Sequence, residues 1–99
     1  MTINKNLDGS TLNLTVEGRL DTTTAPQLEN VMKTSLSGID HLILDFTGLD
    51  YISSAGLLVL LSAQKVMNRQ GDMVIRGANE SVQEVFEVTG FSDILTIEG

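Results

Sequence analysis

Asp45-Phe46-Thr47-Gly48-Leu49-Asp50-Tyr51-Ile52-Ser53-Ser54-Ala55-Gly56-Leu57-Leu58 runs from the end of an apolar stretch, through a short polar loop, into a long apolar segment. Just before it, Leu42-Ile43-Leu44 makes His41 to Phe46 nearly continuous in apolar character. Such a run without strict alternation suits a central strand covered on both faces by helices. Thr47, Gly48 and Asp50 are turn residues, and Asp45 is placed to satisfy loop N–H groups. Ser54 is a small polar residue directly before a helical run, the position of an N-cap. The helix is expected from about Ala55 to Gln70, with Gly71 as its stop. A helix N-terminus carries roughly +0.5 charge and tolerates a phosphate well.

Working outward from this strand–loop–helix unit, the rest of the chain extends the same alternation. Thr2 to Leu7 reads as a short strand and Asp8-Gly9-Ser10 as a turn. Thr11 to Leu20 alternates, with Leu12, Leu14 and Val16 on one face, so the first two strands form a hairpin. Gly18 marks a bulge or a close backbone approach. A first helix follows. Thr24 and Gln27 have capping-box spacing, and Pro26 fits a first turn. Leu28, Val31, Met32 and Leu36 share one face, and Ser37-Gly38 ends the helix. After the second helix come a short strand, Met73-Val74-Ile75, and a third helix. Asn79 caps that helix, Val82, Val85 and Phe86 form its apolar face, and Gly90-Phe91 stops it. Ile94, Leu95 and Ile97 close the chain as a strand or a helical turn. The order is β-β-α-β-α-β-α, an α/β fold: a mixed sheet with packed helices and right-handed parallel crossovers. With 99 residues and no linker or repeat, residues 1–99 read as a single domain.

Composition narrows the function classes. A net charge of −7 disfavours nucleic acid and anionic membrane surfaces, and suits a basic or mixed protein partner. Cysteine is absent, so no disulfide or thiolate metal site can form. No metal or cofactor is expected. The N-terminus lacks a signal-peptide pattern, and the longest apolar run, Leu57 to Leu61, is far too short to insert in a membrane. Cytoplasmic residence is the default. His41, the single histidine, opens a strand with no Asp or Ser at a diagnostic spacing, and reads as structural.

On a wheel of roughly 100° per residue, Val59, Leu60, Ala63, Val66 and Met67 form one stripe for the sheet. Leu57, Leu58 and Leu61 fall outside it. First-turn packing absorbs Leu57. Leu58 and Leu61 either pack under a neighbouring helix or belong to a partner surface beside Ser54. Gly56 costs roughly 1 kcal/mol against Ala within a helix, so something approaches it closely: the sheet or a partner.

The chain resembles the STAS domain of bacterial anti-sigma factor antagonists over essentially its whole length. Gly18-Arg19-Leu20-Asp21 with Thr24-Ala25 looks like the family's strand-to-first-helix motif. Leu42 to Leu49 looks like its central strand, and Tyr51 to Leu57 like its phosphorylation loop. Val88-Thr89-Gly90-Phe91 adds a fourth, weaker match. Aligned on Gly56, the resemblance implies Ser54 as phosphoacceptor. Ser53 stands where many members have Asp and is the second choice. The implied docking surface comprises Asp21, Thr22 and Thr23 before the first helix. Around the second helix start it comprises Ser53, Ser54, Gly56, Leu57, Leu58 and Leu61.

The resemblance implies partner switching. The unphosphorylated domain binds an anti-sigma factor that is also a serine kinase, and so frees the sigma factor. Phosphorylation releases the kinase, and a serine phosphatase resets the domain. ATP would belong to the kinase, since no G-x-x-x-x-G-K-[ST] occurs here. A second class is a STAS subunit held constitutively on a membrane transporter or its ATPase, independent of Ser54. A third, a serine hydrolase, is disfavoured: Ile52 occupies the position where G-x-S-x-G needs glycine. The protein reads as no enzyme.

Overall fold

The sheet is built on β2 (Thr11–Leu20), where Leu12, Leu14, Val16 and Leu20 are buried and Thr11, Asn13 and Thr15 are half-buried. The structure, a computed structural model, describes residues 1–98. A two-residue loop, Gly9-Ser10, joins β2 to β1 (Thr2–Asp8), which pairs antiparallel from Asp8 against Thr11 to Thr2 against Glu17. The other edge of β2 carries two parallel partners in succession. β3 (His41–Asp45) takes Thr11 to Thr15, and β4 (Leu49–Ile52) takes Gly18 to Leu20. β3 pairs with β5 (Asp72–Arg76), and β5 with β6 (Thr96–Glu98), all parallel. The register shifts between Gly18 and Arg19, as the expected bulge requires. Gly18 has φ +99 and its N–H donates to the Gly48 carbonyl at 2.9 Å. Only glycine adopts that backbone without strain, so β2 bends there and changes partner.

Register places Leu12, Leu42 and Met73 in one row and Leu14, Leu44 and Ile75 in the next, all buried. This face receives α1 (Ala25–Ser35), α2 (Ser54–Gln70) and α3 (Glu80–Thr89). The opposite row, Asn13, Ile43 and Val74, is only half-buried. The expectation that helices cover both faces of the central strand is therefore corrected. Ile43 lies on the uncovered side, shielded by its register neighbours Asn13 and Val74. Phe46, Leu60, Met67 and Phe86 complete the core. Full burial of each such side chain stabilises by roughly 1.5–3 kcal/mol.

The element order contains two strands beyond the expected series. β4 occupies residues read as a loop, and the closing segment is a 3-10 turn, Phe91–Asp93, followed by β6. Asn79 caps α3 as expected, accepting from the Val82 N–H at 2.9 Å, and its amide also donates to the Leu49 carbonyl at 3.0 Å. The capping box of α1 does not form. Thr24 is at the N-cap, but its hydroxyl donates to the Arg19 carbonyl at 2.7 Å and accepts from the Asp21 N–H at 2.8 Å. Asp21 organises the turn before the helix: its Oδ1 accepts from the N–H groups of Thr23 and Thr24 at 3.0 and 3.2 Å.

Candidate functional site

The bend of β2 brings two chain segments together at one end of the sheet. Arg19 pairs with Tyr51 and Leu20 with Ile52, so Asp21-Thr22-Thr23-Thr24 and Ser53-Ser54 leave neighbouring strands side by side. The Ser53 N–H still donates to the Leu20 carbonyl at 2.9 Å, and Ser53 is extended at φ −102, ψ 175. Its carbonyl then accepts the Leu57 N–H at 3.0 Å. Ser53, not Ser54, is thus the N-cap. Parallel pairing with β2 persists through Ser53, so helical backbone begins one residue later than the cap reading assumed for Ser54. Ser54 is the first residue of α2.

The two serines differ in access. Ser53 Oγ is buried, makes no capping bond and has no hydrogen-bond partner. Ser54 is exposed. A hydroxyl at Ser54 therefore faces solvent at the positive end of a 17-residue helix.

Gly56 and Leu57 are corrected as surface residues. Gly56 is buried, and a Cβ there would lie 2.7 Å from Leu20 Cγ and 2.9 Å from Ile52 Cγ1. The close approach is made by β2 and β4, not by a partner. Leu57 is 4% exposed and packs in the core, as first-turn packing predicts. Leu58 is 61% exposed, so no neighbouring helix covers it, while Leu61 is half-buried. Val66 leaves the expected sheet stripe: it is 42% exposed and lines a groove between α1 and α2 with Met32, Leu36, Val59 and Ala63.

Thr22 and Thr23 are exposed and Asp21 is half-buried. Asp21 is held mainly by internal bonds. The Thr23 hydroxyl donates to its Oδ1 at 2.7 Å, and Arg19 Nε lies 3.7 Å from its Oδ2. The Thr23 hydroxyl above all, joined by the Thr24 and Thr23 N–H groups and the Thr24 hydroxyl, holds its carboxyl below the usual range against desolvation, the second-largest influence. Asp45 accepts from Thr47 N–H and Oγ1 at 2.9 and 2.6 Å, the loop-satisfying role read for it. His41 is structural, with Nδ1 2.8 Å from Asp72 Oδ1 on the neighbouring strand.

Sequence reasoning missed Arg19 and gave Tyr51 no role. The Arg19 guanidinium lies 4.3 Å over the Tyr51 ring, a cation–π contact on the surface beside Asp21. The available signal was Arg19's place between the bulge glycine and the Asp21 turn. Among the described residues no group of three His, Asp or Glu side chains could hold a metal ion. No helix among them is long and apolar enough to cross a membrane.

A family model described as the STAS domain matches residues 2–99. BtrV of Bordetella bronchiseptica is 38% identical over 84 residues, covering 83% of this chain and 72% of BtrV. The anti-sigma-B factor antagonist of Listeria monocytogenes is 33% identical over 97 residues, covering 95% of this chain and 84% of its own. The crystal structure of an anti-sigma factor antagonist from Mycobacterium paratuberculosis superposes with TM-score 0.88 at 18% identity, over 97% of this chain and 83% of that one. SpoIIAA, the Bacillus cell fate determinant, in its phosphorylated form superposes with TM-score 0.76 at 16% identity, over 99% and 92%.

Proposed function

The chain belongs to the STAS-domain family, and from that premise we propose that it is an anti-sigma factor antagonist switched by phosphorylation of Ser54. The unphosphorylated domain binds an anti-sigma factor with serine-kinase activity and thereby frees a sigma factor. In the switching step Ser54 Oγ attacks the γ-phosphorus of the kinase's ATP. The bond to ADP breaks, and the hydroxyl proton passes to a base supplied by the kinase. A serine phosphatase restores the hydroxyl by hydrolysis. The domain contributes a substrate hydroxyl and a docking surface, not catalysis, and acts where its partners reside, in the cytoplasm.

The observation that carries this reading is the contrast between the two serines: Ser54 is exposed at the start of α2, whereas Ser53 Oγ is buried. A kinase must reach the acceptor oxygen, and only Ser54 offers one without local unfolding. A phosphoserine there adds about −1.5 to −2 charge beside a favourable helix dipole. The fold tolerates that charge, while an apolar or acidic contact docked against it does not.

The test is incubation with candidate anti-sigma kinases and Mg-ATP, then intact-mass and fragmentation spectrometry. One phosphate on Ser54, absent from Ser54→Ala, is the expected result. Equal binding of Ser54→Ala and Ser54→Asp to the kinase would exclude switching through this residue. Stable binding with no phosphate on any candidate would point instead to a constitutive subunit.

A further inference from the structure

The solvent face of α2 has a charge opposite to that of the molecule. The chain carries 13 acidic and 6 basic residues, yet the 17 residues of α2 contain Lys65 and Arg69 and no carboxylate. At about 100° per residue, Ser54, Leu58, Lys65 and Arg69 lie within about 60° of one another, with Leu61 at the stripe's edge. Ser54, Leu58, Lys65 and Arg69 are all exposed. Among the described residues neither Lys65 nor Arg69 forms an ion pair; the pairs of the chain are Arg19–Asp21, Lys33–Glu29, His41–Asp72 and Arg76–Glu98. One line along the helix thus runs from a hydroxyl, over an exposed leucine, to two unpaired cations.

We propose that this stripe docks a partner surface that sets an apolar contact against Leu58 and carboxylates against Lys65 and Arg69. The proposal rests on the partner-binding role above and specifies the partner's chemistry. It also reverses the expectation drawn from net charge: an acidic domain recognises an acidic patch, because the face that docks is locally basic. A basic partner surface would meet like charge at Lys65 and Arg69.

The arrangement separates attachment from switching. At about 1.5 Å per residue, Lys65 lies about 16 Å along the helix from Ser54. That exceeds the Debye length of roughly 8 Å at physiological salt, so the cations do not neutralise a phosphate on Ser54. The basic end contributes the same attraction in either state, and the Ser54 end decides whether the apolar contact closes and the partner stays bound.

The test is titration of the full chain with each candidate anti-sigma kinase, comparing wild type with the Lys65→Glu/Arg69→Glu double variant. Thermal unfolding serves as the folding control. The expected result is a loss of about tenfold or more in affinity at low salt, shrinking as salt is raised. Ser54→Asp should weaken binding by the same factor in both backgrounds. Unchanged affinity of the double variant, or a loss independent of salt, overturns the acidic-partner proposal alone if Ser54→Asp still releases the kinase. Equal binding of Ser54→Ala and Ser54→Asp removes the switching reading, while a salt-dependent loss in the double variant would keep this one. If no kinase binds the wild-type chain, both fall.

Discussion

At the scale of single residues, one hydrogen bond decides which serine is which. The Ser53 N–H bond to the Leu20 carbonyl keeps Ser53 extended beside β2, and its hydroxyl is buried without a partner. Ser53→Ala therefore removes an unsatisfied polar atom, and should leave stability unchanged or raise it by up to about 1 kcal/mol in urea unfolding. Kinase labelling of that variant should persist. Gly56→Ala has the opposite expectation. Its Cβ would meet Leu20 and Ile52 at under 3 Å, and overpacking of this kind costs about 1–3 kcal/mol, read as a lower urea midpoint at constant slope. The sequence showed that something must approach Gly56 closely. It did not show that the sheet does so, because that contact depends on β4 pairing with β2. The cap assignment shifted by one residue for the same reason.

At the scale of elements, α2 divides into a core side and an exposed side that a wheel resolves only in part. Leu60 and Met67 are fully buried where the wheel placed them. Val66 misses the sheet because the groove toward α1 opens on its side of the helix. Leu58→Asp should fold with an unchanged melting temperature and lose kinase binding; unfolding instead would place Leu58 in the core. Leu61→Asp, at a half-buried position, should cost both stability and binding. β4 was illegible because four residues with turn-forming neighbours carry no period. It exists through its pairing with β2 and the Asn79 bond to Leu49. Between β3 and β5, the hydrogen bond to Asp72, with its negative charge and that of Asp40, raises the His41 pKa above the ordinary histidine value. A raised pKa in the folded state makes the pair fully stabilising below histidine's ordinary pKa of about 6.5, and that contribution disappears as pH rises through the elevated value. Melting temperatures of wild type and Asp72→Asn should therefore differ near pH 5 and converge in alkaline solution.

At the scale of the whole molecule, β2 belongs at once to the sheet and to the site. It pairs with β1 along one edge and with β3 and then β4 along the other, so the platform under Asp21 and Ser54 is anchored in the sheet along both edges of β2. The sequence revealed the hairpin, the βα units and the Gly18 bend. It suggested helices on both faces of the central strand, because Ile43 is apolar yet lies on the uncovered side. A rigid platform implies that phosphorylation changes the surface and not the fold. The helix dipole favours a phosphate at Ser54 by about 0.3–1 kcal/mol, while added negative charge on a chain of −7 opposes it. The two contributions partly cancel, so the melting temperature should move by no more than a few degrees, given about 4–8 °C per kcal/mol for a domain of this size. In ¹H–¹⁵N correlation spectra the shifted amides should be confined to Asp21 through Thr24 and Tyr51 through Leu58. Shifts spreading into α3 and β6, or a loss of cooperative unfolding, would show instead that the phosphate acts by rearranging the domain.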